Sequence, residues 1–229
     1  MPDSRTVSIV LPVFRDSKAL ARTLGVSDFR GPMVREVIVA ATGEDSESLA
    51  RLRAERPDIR WIEAPRGRAR QMNAGAAAAS GHWLLFLHAD TRLPDNWRDA
   101  IAAADADPRV SIGCFRFALD SSSPFARAIE LGVRVRVALF ALPYGDQALF
   151  VRRDLFDQIG GYADIPIMED VDLVQRLRTR GRLYCAVNPA VTSARKWEEE
   201  GWIRRTAKHM RLITLYLVGV TPDRLAASL

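Results

Sequence analysis

Cysteine is nearly absent from this 229-residue chain: Cys114 and Cys185 are its only two, far apart and in no metal-like spacing. A disulfide framework is thereby excluded, and a reduced cytoplasmic setting is the expectation. Long apolar runs are missing as well. Trp83–Leu87 and Leu215–Val220, among the longest, fall far short of the ~20 residues that a membrane-spanning helix needs. The chain does not open on a cationic stretch followed by an apolar one, so no secretory leader is expected. Repeats, low-complexity tracts and Gly/Ser linkers are absent, and no domain boundary shows. Lysine is scarce, because almost all the basic residues are Arg, the better residue for two-point contacts with phosphate. The net charge of +5, from 33 basic and 28 acidic residues, is modest and spread along the chain. It tilts the choice of partner only slightly, toward phosphate-bearing ligands or an anionic surface, and no nucleic-acid partner is expected.

What is present is the balance of a globular protein, 48% hydrophobic and 27% charged, which excludes disorder and collagen-like repeats. The first half alternates short β-rich runs with helical patterns. Strands are expected at Val7–Val13, Glu36–Ala41, Ile59–Glu63 and Trp83–Leu87, with helices over Asp16–Val26, Ser46–Glu55 and Arg68–Ser80. Such alternation indicates βαβ units and a mostly parallel sheet, with ligands bound at the edge where the strands end. The second half is less regular. Val110–Leu119 and Ala148–Arg152 read as strands, Glu169–Arg180 as a helix and Leu183–Ala186 as a short strand. A long helix is expected from about Glu198 to Gly219. Pro124–Leu142 stays open, since its VRVRV alternation argues for a strand and its length for a helix.

Three clusters carry candidate chemistry. The run LLFLHADTRLP (Leu84–Pro94) ends a buried strand in His88-Ala89-Asp90, placing one carboxylate at the sheet edge. Mg²⁺ and Mn²⁺ are commonly held by one or two carboxylates plus substrate phosphates; a plain turn cap at Asp90 is the alternative. In PRGRARQMNAG (Pro65–Gly75), Arg66, Arg68 and Arg70 crowd a helix start, whose own N–H groups attract anions. Arg70 and Asn73 lie one turn apart and can face one ligand, unless the group is a solvated basic turn. In IPIMEDVDL (Ile165–Leu173), Glu169 and Asp170 open a helix, and neighbouring helix positions cannot aim at one atom. One can act as general base while the other caps the helix, or both can simply cap it. The loop Gly145-Asp146-Gln147 can shape an acceptor pocket or be an ordinary tight turn.

These blocks stand in the order found in glycosyltransferase family 2, the inverting enzymes of GT-A-type fold, and the resemblance covers roughly residues 6–200. RGRARQMNAG, LFLHADT, YGDQ-F-RR and PIMEDV-L most closely resemble the bacterial branch associated with arsenosugar biosynthesis. The resemblance implies an α/β, Rossmann-like three-layer sandwich with a mostly parallel central sheet and a C-terminal helix. A single domain over 1–229 is expected, with a nucleotide-sugar half at 1–119, an acceptor and catalytic half at 120–200 and an amphipathic tail at 201–229. It implies a nucleoside-diphosphate sugar donor, a hydroxyl acceptor and a Mn²⁺ or Mg²⁺ cofactor. Pro12, Val13 and Phe14 would open the nucleotide pocket, and Asp90 would hold the metal, with His88 in place of an acidic residue that often contacts ribose. Arg70 would contact the donor, with Asn73 beside it. Asp170 of the Glu169–Asp170 pair would be the catalytic base, and Gln147 with Asp146 would line the acceptor side.

One departure stands out. The second strand of such enzymes usually ends in an Asp that recognises the nucleotide base, and here it ends in Ala41, with Glu44 and Asp45 nearby. Ala41 and His88 therefore motivate an alternative: a weak or inactive nucleotide-binding scaffold of the same fold. A nucleotidyltransferase is disfavoured, because PVFRDSKAL lacks the Gly-rich basic loop such enzymes carry after the first strand. In the tail, Arg204, Lys208 and Arg211 recur at helical spacing, on a largely different face from Ile203, Ala207, Met210 and Leu217. Such a helix can lie on an anionic membrane surface, peripherally at its inner face, or pack on the domain or on a second copy of the chain.

Overall fold

The computed structural model describes residues 6–228, so the N-terminal stretch bearing on a leader lies in part outside the described residues. Apolar runs lay down β1 (Val7–Val13), β2 (Val34–Ala41), β3 (Arg60–Glu63) and β4 (Trp83–Phe86), separated by α1 (Ser17–Val26), α2 (Ser46–Glu55) and α3 (Arg68–Ala78). There follow β5 (Thr91–Arg92), α4 (Trp97–Asp105), β6 (Val110–Leu119), α5 (Pro124–Phe140), β7 (Phe150–Arg152), α6 (Arg153–Gln158) and α7 (Glu169–Arg178). The chain closes with β8 (Arg182–Thr192), α8 (Arg195–Glu200), α9 (Trp202–Leu217) and α10 (Pro222–Ala226). Eight strands form one sheet in the order β3-β2-β1-β4-β7-β6-β8-β5. The pairs β1/β2, β1/β4, β2/β3 and β6/β8 are parallel, whereas β7 runs antiparallel to both its neighbours and β5 antiparallel to β8.

Every residue of β1 is buried, because helices cover both faces of the sheet and a strand between them must be apolar on each side. On one face Ile9, Leu11 and Leu85 pack with Leu20, Leu49 and Trp97; on the other, Val10, Ile38 and Phe86 pack with Met72, Phe156 and Val174. Each such large side chain contributes about 1.5–3 kcal/mol on burial. Gly75 lets α3 press onto the sheet, since a Cβ there would stand 2.2 Å from Val10 Cγ1. Val13 pairs with Ala41 at the strand ends, so β1, β2 and β4 deliver their C-termini to one edge.

In the second half the structure decides one open segment and departs from the sequence pattern in two others. Pro124–Phe140 is a helix, started by Pro124 in its first turn and by the Ser123 hydroxyl accepting from Phe125 N–H. The short strand expected at Leu183–Ala186 extends over eleven residues, because β6 offers a parallel partner along its length and a register shift at Cys114/Arg116 precedes Pro189. The single C-terminal helix is divided at Gly201, whose φ of +88° breaks the helical path. Among the described residues, no helix is long and apolar enough to cross a membrane.

Candidate active site

At the ends of β1 and β2, Pro12 and Val13 are buried inside the strand, and only the half-buried Phe14 reaches the crevice. Two guanidinium groups stack on its ring, Arg66 at 4.5 Å and Arg15 at 5.0 Å from the centroid. Arg15 sits at φ +52°. The buried Asp45 holds this turn, accepting from Arg15 N–H at 2.7 Å and from the Thr42 hydroxyl at 2.7 Å. Asp45 thus ties the turn after β2 to the end of β1, while Glu44 pairs with the Arg15 side chain on the surface. Ala41 itself is fully buried.

Gly67, at φ +131°, turns the chain into α3. The buried Gln71 side chain then ties the helix to the sheet, donating to Val13 O at 2.6 Å and Ala40 O at 2.8 Å. This staple aims the first turn of α3 at the start of α7. Arg68 pairs there with the buried Glu169 at 3.0 Å, and Asp170 and Asp90 also act on it electrostatically. Burial pushes the Glu169 carboxyl up, against the pull of Arg68. Arg70 does not join this group: its Nε donates to Asp164 at 2.7 Å, an exposed pair. Asn73 also turns elsewhere. Its amide donates to Tyr162 O and accepts from Tyr162 N–H, clamping the segment that leads into α7. Arg70 and Asn73 thus face different partners here, and Arg68, from the same basic block, is the residue that meets α7; the helix start was visible in the sequence, its direction was not.

His88 lies just past β4, half-buried, with Arg68 and Lys196 nearby, so desolvation first and those two cations next hold its pKa well below 6.5 and its ring neutral. The ring meets the backbone of Gly145, where a Cβ would stand 2.8 Å from His88 Nε2 and 3.4 Å from Asp170 Oδ2. Gly145 N–H donates to that same Asp170 oxygen at 2.7 Å. His88, Gly145 and Asp170 are thus in contact, and Asp170 accepts a second bond from Val171 N–H at 2.8 Å. Neither Glu169 nor Asp170 merely caps the helix: the N-cap is Met168, in the left-handed region at φ +67°.

Asp146 is half-buried beside them. Desolvation first, and the charges of Asp170 and Asp90, push its carboxyl up to about 6 against the pull of Arg136 and Arg68. Its Oδ1 is buried and has no hydrogen-bond partner among the described residues. Arg136 covers the Tyr144 ring at 3.3 Å from the centroid and donates to Gln147 Oε1 at 3.2 Å. Gln147 is 2% exposed, and its Nε2 donates to Phe115 O at 3.0 Å, so it frames the loop from beneath instead of lining an open acceptor face. A surface cavity of about 440 Å³ between α6 and α7, lined by Gln158, Asp172 and Arg176, holds none of these groups.

Among the described residues no three His, Cys, Asp or Glu side chains stand at metal-ligand spacing. The donor set nevertheless suits a hard divalent cation. Asp90 and Asp146 are close enough to raise the latter's pKa, one Asp146 oxygen is unpaired, and such cations need only one or two protein carboxylates when phosphates complete the shell.

A model described as glycosyl transferase family 2 matches residues 8–163. No curated protein sequence matches the chain. Among solved structures, the mannosyltransferase PcManGT from Pyrobaculum calidifontis, in complex with GDP-Man and Mn²⁺, superposes with a TM-score of 0.66 at 21% identity, over 97% of this chain and 68% of that one. S. aureus TarS 1-349 in complex with UDP-GlcNAc superposes with a TM-score of 0.62 at 13% identity, over 82% of this chain and 58% of that one. This chain thus spans less than two thirds of the TarS fragment, and at these identities the likeness concerns the fold.

Proposed function

The chain belongs to glycosyl transferase family 2, and from that premise we propose that it moves a sugar from a nucleoside-diphosphate donor to an acceptor hydroxyl with inversion at the anomeric carbon. The observation that carries this reading is that His88, from the HAD run just past β4, and Asp170, from the start of α7, meet at the backbone of Gly145, with Arg68 bound to the neighbouring Glu169. PcManGT and TarS, which share the fold, are named with GDP-Man and UDP-GlcNAc respectively.

Asp170 is the general base. Its oxygens accept from Gly145 N–H and Val171 N–H, so the side chain is held in place at the start of α7. It takes the proton of the acceptor hydroxyl as that oxygen attacks the anomeric carbon. Asp90, with Asp146 beside it, would hold Mn²⁺ or Mg²⁺, which when bound offsets the charge growing on the departing diphosphate. Arg68 stabilises the same charge and takes the role that the family pattern allots to Arg70. His88, held neutral, offers a ring nitrogen to the donor. Phe14, between Arg15 and Arg66, presents an aromatic face at the base side. The narrower link to arsenosugar biosynthesis gains no support from the family match or the structural likenesses.

A donor-hydrolysis screen over UDP-, GDP-, dTDP- and CDP-sugars with Mn²⁺ or Mg²⁺ tests the reading. Turnover with at least one donor is expected, falling ~10²-fold or more in Asp170→Asn. Near-normal transfer by that variant would remove the base assignment. Nucleotide binding without hydrolysis of any donor would favour the inactive scaffold, for which the buried Ala41 speaks.

A further inference from the structure

Helices α5 and α9 lie side by side. Phe125 stacks on Trp202 at 6.4 Å, and Ile129, Val133 and Trp202 pack on one small cluster around Phe117 and Trp197. Their outer faces are apolar. Among the described residues, nine of the eleven exposed large apolar side chains stand on α5, α9 or the residue capping α9, so this exposure is concentrated and not scattered. On α5 Leu131, Val135 and Leu139 recur four residues apart, with Phe125 exposed nearer the helix start. On α9 the stripe runs through Ile203, Met210 and Leu217. A patch of this kind on a soluble-sized fold marks a surface that another body covers.

Charge selects that body. The sole acid on either helix, Glu130, is taken by Arg127 at 2.9 Å, while Arg134, Arg204, Lys208 and Arg211 are exposed. Arg205 and His209 instead turn inward to Trp197. Two copies apposed through this surface would set like charges against each other, whereas an anionic bilayer meets both the cations and the apolar stripes. We propose that α5 and α9 together form a peripheral docking face for an anionic lipid bilayer, with the Leu131–Leu139 and Ile203–Leu217 stripes entering the headgroup boundary. The inner side of α5 carries Arg136 onto Tyr144 and Gln147, so a bilayer seated there lies along the flank of the carboxylate cluster. The proposal stands independently of the sugar-transfer reading, because its test reads binding alone.

Flotation of the full chain with vesicles of phosphatidylcholine, and of phosphatidylcholine with about one third phosphatidylglycerol, tests it. Binding is expected to the anionic vesicles alone and to weaken with salt. Replacing Arg204, Lys208 and Arg211 together by Ser should lower affinity roughly 100-fold, at about fivefold per cation. Leu139→Glu combined with Met210→Glu should abolish flotation while leaving the thermal unfolding midpoint near that of the parent. Failure to float on anionic vesicles overturns the proposal. So does equal binding by all three proteins, and so does a concentration-dependent dimer that the Leu139→Glu, Met210→Glu variant dissolves.

Discussion

The carboxylate pocket and the α5–α9 surface break opposite rules. One buries charge, leaving Asp146 Oδ1 unpaired and Glu169 shut beneath Arg68; the other leaves Leu139 at 71% and Ile203 at 73% exposure. Between them lies a sheet that obeys both rules, with β1 apolar and wholly buried. Departures of this kind cost stability, and they gather where a protein meets other molecules. The pocket and the surface differ in what would relieve them: a cation and phosphates in the first case, an apolar and anionic layer in the second.

The largest effect expected from disturbing the pocket is catalytic. Arg68→Ala should lower sugar transfer roughly 10²- to 10³-fold, while Arg70→Ala, which breaks an exposed pair with Asp164, should change it less than about twofold. Steady-state kinetics on the two variants would merge the distinction if both fell alike. Next comes a gain. Asp146 has its folded pKa raised from 3.8 to about 6, so the folded state favours the protonated form. The stability this confers is fully present below pH 3.8 and is lost as pH rises through 6. At pH 7.5, without ligand, Asp146→Asn should therefore stabilise the protein by up to about 3 kcal/mol and also flatten its stability between pH 4 and 7, as denaturant titrations would read. The same variant should transfer sugar more slowly.

The ordinary core supplies the control. Gly75→Ala drives a methyl into Val10 and should cost about 1–3 kcal/mol. Leu139→Glu, on the outer face of α5, should stay within about 0.5 kcal/mol of the parent. A large loss from Leu139→Glu would mean that the surface is core-like after all, and the contrast between the regions would fail.

Much of the first half was legible because β1 and β4 are buried on both faces, and a run such as VSIVLPV suits a covered strand. The segment Pro124–Phe140 was not, since its apolar residues lie on both the inner side (Ala126, Ile129, Val133) and the exposed side (Leu131, Val135, Leu139) of the helix, which leaves the VRVRV alternation to suggest a strand. In the site, position alone marks His88-Ala89-Asp90 and the Glu169–Asp170 pair as candidates, each at an element end; it does not choose between Glu169 and Asp170, and the roles of His88 and Asp170 rest on the family resemblance. Arg68 and Arg70 could not be told apart. Two residues along α3 are about 200° of rotation, and which of them faces α7 depends on Gln71 anchoring the helix to Val13 and Ala40. Gln147 misled for a related reason: a polar residue in a loop is ordinarily exposed, and this one is drawn inward by Phe115 O and Arg136.

Local sequence therefore settled which segments are strands at the sheet's centre and which residue types gather at its edge, because burial and backbone preference act over a few neighbours. The tertiary structure decided which of those residues share a pocket, that Gly145 must be bare for His88 and Asp170 to approach it, and that two distant helices expose one apolar face. Those outcomes depend on contacts between residues tens of positions apart, and their directions in space are set only when the elements pack.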